Sequence, residues 1–553
     1  MSAGVYEEKP WLALYPPGQP ASIEADFSNL LDAFRASVRK GPDAPILHYF
    51  DTTISLAELD QASTALAAGL VARGFRSGDR LALYTQNNPA YVIGLLATWK
   101  AGGIAVAVNP MSKERELQYI LRDSGARALL SLDTLHAEIG RNVTMALDGQ
   151  VDIVVTFSAL DGQSLNDPRV LDVAPRLGAL EGALDLHQIL SQGAVATVAP
   201  WHPRADDVAL LVYTSGTTGH PKGAMITHAN LAFNAQTYRD WIGLSMQDSI
   251  LGMAPLFHIT GIVGHVAAAL LIPCPLVLLH RFHPGTVLDA MRRHRPTFTV
   301  GAITAFISLM NAPGAKREDF SSFHAIYSGG APVAPATVEQ FEAFSGHYIH
   351  NAYGMTETCS PTHIVPLGVR APVDRQSGAL SIGVPVFNTT VRVVDDDGRD
   401  VPVGETGEFI DRGPQIMRGY WNMPEATAAA MPDGWLRTGD VGFMDEQGWF
   451  YLVDRKKDMI NAGGYKVWPR EVEDVLYSHP AVREAAVVGV PDAYRGETVK
   501  AVVSLKPGMQ VSAEELIAYC KANMADYKYP RILEFMDELP KTLTGKLLRR
   551  SLR

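Results

Sequence analysis

Short apolar runs alternate with helical segments through the first 160 residues, and this alternation restricts the fold more than any other feature of the chain. Helices are predicted over residues 90–102 and around 114–124. Strands that are apolar along their whole length and are separated by helices are typical of a parallel sheet covered on both faces. The sequence therefore predicts an α/β protein. The predicted buried strands are RLALY (80–84), IAVAV (104–108), RALLS (127–131) and VDIVVTF (151–157).

The pattern changes further along the chain, and 553 residues are too many for a single ordinary domain. We predict a large N-terminal part, residues 1–454, made of two α/β lobes (about 1–205 and 206–385) and a small antiparallel β-barrel or sheet (about 386–454). Short strands with Asp-Gly turns indicate the barrel. Residues 160–205 are rich in Gly, Asp and Pro and predict a long excursion between the lobes.

Residues 455–553 are predicted to form a separate small α+β domain. Helices are expected at 470–478 and 513–525, and strands at 484–490 and 498–505. The charged string from Asp454 to Asp458 marks the junction with the larger part.

Composition excludes some classes of protein. The net charge of -11 argues against a nucleic-acid-coating protein, and three scattered cysteines predict neither a disulfide framework nor a zinc site. With no signal-peptide pattern at the N-terminus, we expect a cytoplasmic location. The nearly continuous apolar stretch 262–279 is interrupted by His265 and by Pro273-Cys274-Pro275, which favours a buried helix and strand over a membrane span. Peripheral membrane contact stays open.

The strongest local motif is YTSGTTGHPKG, from Tyr213 to Gly223. Its glycines let backbone N–H groups turn toward an anion, its hydroxyls add donors, and Lys222 adds a positive charge. The motif therefore predicts a loop that holds phosphates. It is not the Walker pattern, because His220-Pro221 precede Lys222 and Gly223 stands where Ser or Thr would bind magnesium.

This motif resembles the phosphate loop of the adenylate-forming superfamily of acyl- and aryl-CoA synthetases, adenylation domains and luciferases. Further matching segments follow in the same order and cover essentially the whole chain. The opening WLALYPPGQPASIE is most similar to bacterial fatty-acyl-CoA ligases. The resemblance implies the fold described above, with a mobile C-terminal domain, and a homodimer stays open. The matching segments are PLFHITG (255–261), YSGGAP (327–332), YGMTET (353–358), GYW (419–421), GWLRTGD (434–440), the segment 451–473 and PKTLTGK (540–546).

The resemblance implies a carboxylic acid, ATP, Mg²⁺ and coenzyme A as the ligands. Asp440 would accept hydrogen bonds from the ribose hydroxyls and Arg455 would donate to the same sugar, while Tyr353 would stack on adenine. Glu357 would hold Mg²⁺, beside Thr356 on the phosphates. Gly330, Ala331 and Pro332 would line the base and the acyl pocket. The residues implied for the ATP phosphates are Thr214, Ser215, Gly216, Thr217, Thr218, Gly219 and Lys222.

Lys546 is the residue implied for adenylation. It would offset the repulsion between the attacking carboxylate and the α-phosphate of ATP. It would then withdraw as the C-terminal domain rotates about a hinge at Lys457. Gly463, Gly464, Tyr465 and Lys466 would be brought to the thiol arm of coenzyme A. Asn461 stands where some relatives have a lysine that is linked to the second step.

The pocket for the acid is less well defined. His258 resembles a position near the substrate carboxylate, although a histidine buried in the core explains it nearly as well. The other candidates carry no charge, which favours an apolar acyl or aryl tail. They are Gly261, Ile303, Thr304, Phe306, Gly329 and Met355.

Several functions are compatible with these motifs. An acyl-CoA ligase is favoured, and a free-standing ligase that loads a carrier protein is the first alternative. An amino-acid-activating domain would need an aspartate near 257–258, where Phe257-His258 stand instead, and nothing points to a luciferase-type oxygenase. A non-enzymatic acid or nucleotide sensor is disfavoured by the presence of Lys546, Glu357 and Asp440.

Overall fold

The computed structural model describes most of the chain. The described ranges are residues 4–171, 176–177, 180–192, 199–214, 221–331, 333–375, 377–455, 458–462, 465–492, 495–542 and 547–553.

A mostly parallel sheet forms the first lobe, as the alternating pattern predicts. In the strand Arg80–Tyr84, Leu81 and Leu83 enter one apolar cluster, while Ala82 and Tyr84 enter another on the opposite face. Both faces are therefore covered, which explains the continuous apolar runs. The strand order is Gly419–Tyr420, Lys222–Thr227, Val208–Thr214, Ile104–Val108, Arg80–Tyr84, Ala128–Leu132, Ile153–Phe157 and Leu184–Asp185.

A second large sheet lies in the other lobe. Its central strands are parallel, and it ends in antiparallel strands at both edges. The strand order is Val384–Pro385, Ser360–Ile364, Ile349–Met355, Ala325–Gly329, Phe298–Gly301, Ile250–Leu251, Leu276–Leu278, Pro45–Tyr49 and Thr52–Ser55.

The predicted lobe boundary near residue 205 does not separate the two sheets. The strand Pro45–Tyr49 pairs with Leu276–Leu278 in the second sheet, and the strand Gly419–Tyr420 pairs with Lys222–Thr227 in the first. Pairing is decided by contacts between distant parts of the chain, which a local pattern does not contain. The excursion predicted over 160–205 also contributes the edge strand Leu184–Asp185 and the helix Leu186–Gln192.

Local capping fixes where the longer helices begin and end. A capping box of Ser55 and Glu58 starts Leu56–Ala72, and Gly125, in the left-handed region, ends Glu114–Ser124. Other helices of these lobes are Leu30–Lys40, Pro89–Lys100, Arg141–Met145, His228–Ile242, Pro284–His294, Ile303–Met310, Pro335–Ser345 and Pro424–Ala430.

The apolar stretch 262–279 is a buried helix and strand, as predicted. A π-helical turn, Ile262–Ala267, continues into Ala268–Leu271, and the strand Leu276–Leu278 follows. Its residues belong to the apolar cluster that both large sheets share. Among the described residues, no helix has the length and apolar character needed to cross a membrane.

The region predicted as a small barrel is a four-stranded antiparallel sheet within the described residues. Its order is Thr390–Val394, Gly407–Arg412, Leu436–Met444 and Phe450–Arg455. The first and last strands are its edges, so it is a half-barrel and not a closed one.

Residues from 460 onward build a sheet and a core of their own. The long strands Val482–Asp492 and Gly496–Leu505 pair antiparallel, and the helices Pro469–Ser478 and Ala513–Asn523 pack on the same apolar cluster. The exact boundary at residue 455 stays a prediction. The remaining strands of this sheet are Ile460–Ala462, Tyr465–Val467 and Ile532–Phe535.

Candidate active site

Three neighbouring strands of the second sheet end at one edge, where most of the predicted site residues lie. Phe298–Gly301 pairs in parallel with Ala325–Gly329, which pairs in parallel with Ile349–Met355. The chain turns directly after the middle strand, because Gly330 has a φ of 83°. Ligands of such sheets bind outside the carboxyl ends of the strands. Gly330 and Ala331 lie at this edge, and Pro332 lies outside the described residues.

Tyr353 connects this edge to the half-barrel. Its hydroxyl donates to Oδ2 of Asp440 at 2.7 Å, and both side chains are buried. Burial and the neighbouring Asp440 raise the pKa of the Tyr353 phenol well above its ordinary value, so it stays a hydrogen-bond donor. The structure thus brings the residue predicted for adenine together with the residue predicted for the ribose.

The strand Leu436–Met444 holds Asp440 in place. The Asp440 backbone N–H donates to the Thr438 hydroxyl at 3.1 Å, and that hydroxyl donates to the Phe409 carbonyl at 2.8 Å. The backbone of Arg455 lies directly opposite Asp440 in the next strand. The two residues predicted for the ribose therefore share one rung of the half-barrel.

The phosphate motif joins two antiparallel strands of the first sheet. Thr214 ends one strand, Lys222 begins the next, and the two residues are paired across the ladder. The five predicted residues between them, Ser215 to Gly219, lie outside the described residues. Tyr119 fixes the far side of the loop, since its hydroxyl donates to the Pro221 carbonyl at 2.9 Å.

Tyr420 links the phosphate motif to the predicted metal ligand. Its hydroxyl donates to Oε1 of the buried Glu357 at 2.7 Å, and Nζ of Lys222 lies 5.0 Å from the centre of its ring. The backbone supports this arrangement, because Met417 N–H donates to the Glu357 carbonyl at 2.8 Å. Burial and Glu357 raise the pKa of the Tyr420 phenol.

Tyr420 belongs to the matching segment GYW (419–421), but its role was not predicted from the sequence. Its partner stands 63 residues away in the chain, so spacing could not reveal the contact. The sequence feature that points to Tyr420 is the GYW segment itself, in which two aromatic residues follow a glycine.

The surroundings of Glu357 fit a magnesium ion shared with phosphates. Within the described residues, no three His, Cys, Asp or Glu side chains come together as a metal site. Mg²⁺ in nucleotide enzymes commonly takes one or two carboxylates and completes its shell with phosphate oxygens and water. One buried carboxylate, linked through Tyr420 to Lys222 of the phosphate motif, meets that need. Thr356, half-buried, precedes Glu357 in the same short 3-10 helix.

His258 begins the short helix Ile259–Gly261. Its Nδ1 accepts the Thr260 N–H at 3.3 Å, so one ring nitrogen serves the helix start. Gly261 is required for close approach there, since a Cβ would lie 2.2 Å from the Pro255 carbonyl oxygen. The neighbouring His265 is fully buried, and its Nε2–H donates to the Val300 carbonyl at 3.0 Å. It is kept neutral because burial lowers its pKa to about 4.

The other candidates for the acid pocket lie around the same strand ends. Ile303 and Phe306 are buried in the helix that follows Phe298–Gly301, with Thr304 half-buried beside them. Gly329 permits the close pairing of its strand, because a Cβ would lie 2.9 Å from the Ala352 oxygen. Met355 is half-buried at the end of the adjacent strand. None of these side chains is charged.

Several residues predicted to act from the C-terminal domain lie outside the described residues, namely Lys457, Gly463, Gly464 and Lys546. The backbone of Lys466 lies in the strand Tyr465–Val467. Tyr465 is 59% exposed and its ring stacks on Tyr527 with centroids 4.8 Å apart.

The segment that follows Lys546 is anchored and not a solvated tail. Arg549 forms an ion pair with Glu473 at 2.8 Å and lies 3.6 Å from Asp458. Leu552 is buried in a small apolar cluster with Leu539. The chain on the carboxyl side of Lys546 is therefore fixed to the body of the C-terminal domain.

Known proteins match this chain along almost its whole length. The AMP-binding enzyme model matches residues 34–421, and the model of the AMP-binding enzyme C-terminal domain matches residues 471–546. A long-chain-fatty-acid–CoA ligase of Bacillus subtilis is 36% identical over 557 residues, covering 99% of this chain and 98% of the relative. A feruloyl-CoA synthase of an Amycolatopsis species is 38% identical over 517 residues, covering 93% and 96%.

Solved structures agree with the sequence comparison. The anthranilate CoA ligase AuaEII in complex with anthranoyl-AMP has a TM-score of 0.85 and 28% identity, with 97% of each chain covered. Other solved relatives with a TM-score of 0.82 contain ATP. The fold is that of the adenylate-forming enzymes. The large α/β part and the C-terminal domain are as predicted, and a half-barrel stands where a small barrel or sheet was predicted. The chain belongs to the AMP-binding enzyme family and is an acid–CoA ligase.

Proposed function

We propose that this enzyme joins an apolar monocarboxylic acid to coenzyme A in two steps. The carboxylate attacks the α-phosphorus of ATP, the bond to pyrophosphate breaks, and an acyl-adenylate forms. The thiol of coenzyme A then attacks the acyl carbon, loses its proton, and AMP leaves. The observation that carries the proposal is the pair of buried Tyr–carboxylate bonds, Tyr353–Asp440 and Tyr420–Glu357, at the two ends of residues 353–357.

At the nucleoside end, Asp440 accepts the ribose hydroxyls. The carboxylate is already oriented by Tyr353 and by the backbone rung shared with Arg455, so little order has to be created when ATP binds. Gly330 and Ala331 lie at the same strand ends and line the base.

At the phosphate end, the charges of ATP meet Lys222, Thr214 and the loop residues 215–219. Glu357 would hold Mg²⁺ together with phosphate oxygens, and Thr356 would contact a phosphate beside it. Bound magnesium would neutralise charge on the leaving pyrophosphate. Tyr420 contacts both Lys222 and Glu357, and it therefore holds the positive charge and the metal ligand close to each other.

The two steps use different parts of the C-terminal domain in this proposal. Lys546 stabilises the charge that develops as carboxylate and α-phosphate approach. After rotation about Lys457, residues 463–466 approach the thiol arm. A cytoplasmic location, peripheral membrane contact and a homodimer stay predictions.

We propose a fatty acid as the first candidate substrate. The candidate pocket residues Ile303, Phe306 and Met355 are apolar, and the full-length relative from Bacillus subtilis is named for long-chain fatty acids. An aryl acid is the second candidate, because the feruloyl-CoA synthase is 38% identical and the anthranilate ligase has the same fold. Both classes need an apolar pocket with no fixed charge deep inside it.

A panel of acids tests the proposal in one experiment. Pyrophosphate release is measured with ATP and Mg²⁺ for short to long fatty acids, benzoates, cinnamates and arylacetates, with and without coenzyme A, and thioesters are identified by mass. Acid-dependent pyrophosphate with the matching acyl-CoA supports the ligase and ranks its substrates. Pyrophosphate without thioester would indicate a carrier protein as the acceptor. Silence across the panel, with ATP still bound, would favour a sensor.

A further inference from the structure

A buried carboxyl group that the proposed mechanism does not use lies behind the ribose site. Asp411 is in the strand Gly407–Arg412 of the half-barrel and is 0% exposed. Among the described residues, neither of its carboxylate oxygens has a hydrogen-bond partner of normal geometry. Buried polar atoms are nearly always paired, so an unpartnered acid in the core requires an explanation.

The side chain of Asp411 faces the nucleoside end of the site. Asp411 and Phe409 are two residues apart in a strand and therefore share a face. The Phe409 ring contacts the rings of Tyr353 (centroids 6.3 Å apart), His363 (6.1 Å) and Phe450 (5.8 Å). Asp411 thus lies on the side of the sheet where Tyr353 donates to Asp440.

The groups around Asp411 give it little support as an anion. Asp440 and Tyr353 both interact with it electrostatically. His363, also fully buried, is neutral because burial lowers its pKa to about 3. Among the described residues, the Thr362 hydroxyl favours the charged form, but it lies outside normal hydrogen-bond geometry to Asp411 and is bonded to Nδ1 of His363 at 3.0 Å. Burial first, and then the charge of Asp440, raise the pKa of Asp411 to about 7.

We propose that Asp411 is a positioning residue of the adenosine site. Asp411 has to keep its proton, so that Asp440 is the one anion at this end of the site and can accept the ribose hydroxyls. This inference rests on the ribose role of Asp440 in the proposed function. When Asp411 loses its proton, two carboxylates share one buried pocket and repel each other. The second anion also competes for the Tyr353 hydroxyl, which is the donor that orients Asp440.

Proton binding and nucleoside binding are then linked. Nucleoside affinity is highest when Asp411 is protonated and falls as pH rises through 7. Adenosine is the appropriate probe, because it has both ribose hydroxyls and no group that titrates near neutral pH, unlike AMP and ATP. Asp411→Asn keeps the shape and removes the titration, and Asp397→Asn, at an exposed turn, is the matched control.

The test is calorimetric titration of adenosine into the full-length protein from about pH 6 to about pH 9. For the wild type and Asp397→Asn, the dissociation constant should rise by up to about tenfold per pH unit above 7. For Asp411→Asn it should stay constant within about threefold. 2′,3′-Dideoxyadenosine should bind weakly and show no such dependence. Adenosine titrations of the wild type in buffers of different ionisation enthalpy should show that binding takes up protons near pH 8. This measurement needs no variant.

The outcomes separate this inference from the proposed function. An adenosine affinity that changes by less than about threefold across the range, or that changes equally in Asp411→Asn, overturns the role of Asp411 and leaves the ligase proposal standing. If neither adenosine nor ATP binds the wild type, the nucleotide site itself is wrong and both proposals fall.

Discussion

At the scale of single residues, two tyrosine hydroxyls hold the buried carboxylates of the site. Tyr353 donates to Asp440 and Tyr420 donates to Glu357, each at 2.7 Å. A hydrogen bond to a charged group contributes about 1.5–3 kcal/mol, and burial keeps both phenols protonated by raising their pKa. The carboxylates are therefore oriented before any ligand arrives.

Removing one of these hydroxyls gives the first prediction. Tyr420→Phe should lower kcat/KM for ATP by about ten- to a hundredfold and raise the Mg²⁺ concentration needed for half-maximal rate, because Glu357 loses its orienting donor. Pyrophosphate release measured against magnesium concentration checks it. Tyr451→Phe is the control, since it removes a similar bond to Asp445 at 2.9 Å in a turn of the half-barrel. Equal effects of the two variants would contradict the role of Tyr420.

The adenylation lysine gives a prediction about half-reactions. Lys546→Ala should lower acyl-adenylate formation by about 10²- to 10³-fold, as loss of other electrostatic stabilisers does. Thioester formation from supplied acyl-adenylate and coenzyme A should be spared, because the lysine acts before the rotation. Equal loss in both half-reactions would be incompatible with this division.

The ribose contact should be independent of the acid. Asp440→Ala should weaken the use of ATP by a similar factor for every acid in the panel, since the ribose does not contact the acyl group. KM for ATP with two chemically different acids is the measurement. A changed order of preferred acids would mean that Asp440 belongs to the acid pocket.

The sequence was informative for residues that act through local chemistry. The phosphate motif stands out because its glycines, hydroxyls and lysine suit phosphate binding, whereas Asp440 and Glu357 were predicted only through the resemblance to the adenylate-forming superfamily. Tyr420 and Asp411 were missed for different reasons. The partner of Tyr420 is distant in the chain, and Asp411 resembles an ordinary strand residue until its face of the sheet is known.

At the scale of elements, the half-barrel strand Gly407–Arg412 contains an acid where packing favours an apolar side chain. The pKa of Asp411 is raised from 3.8 to about 7, so the folded protein keeps this proton to a higher pH than the unfolded chain. The ionisation of this group therefore costs no stability below about pH 4. Its cost grows between pH 3.8 and 7 and is constant above, at most on the order of 4 kcal/mol.

Thermal unfolding of Asp411→Asn tests whether burying Asp411 costs more stability as pH rises. The variant should gain stability over the wild type as pH rises from about 5 to about 8, because only the wild type has to bury an anion. Differential scanning fluorimetry over that range gives the difference in Tm, with Asp397→Asn as the exposed control. An equal Tm difference between Asp411→Asn and the wild type at about pH 5 and about pH 8 would contradict a protonated Asp411 in the folded protein.

Elements were predicted better than their arrangement. The strands at 80–84 and 104–108 and the helix at 114–124 appear where the periodicity predicts them, because period and burial are local properties. The membership of Pro45–Tyr49 in the second sheet was not predicted, since it depends on pairing with residues more than 200 positions away.

At the scale of the whole molecule, one buried arginine joins the C-terminal domain to the larger part. Arg470, 2% exposed, lies in the first turn of the helix Pro469–Ser478. Its guanidinium donates to the Leu452 carbonyl at 2.9 Å and to the Val333 carbonyl at 3.3 Å. A rotation of the C-terminal domain between half-reactions would have to break at least one of these bonds.

Arg470→Lys should therefore affect the two half-reactions unequally. Lysine keeps the charge beside Asp474 but cannot reach both carbonyls with its single ammonium. The ratio of the adenylation rate to the thioester-forming rate should change by about tenfold, as the loss of a bond worth about 1.4 kcal/mol in one arrangement implies. Arg483→Lys, which changes contacts inside the C-terminal domain only, is the control. An unchanged ratio would show that these bonds do not distinguish the two arrangements.

The crossing of strands between the two large sheets also governs how the enzyme can be made in the cell. The first sheet takes its last strand from Gly419–Tyr420, and the second sheet takes Pro45–Tyr49 from the beginning of the chain. A ribosome therefore has to translate some three-quarters of the message before the first sheet can receive its last strand. Until then its open edge and the early strands are exposed to other nascent chains, and we expect chaperones to hold them.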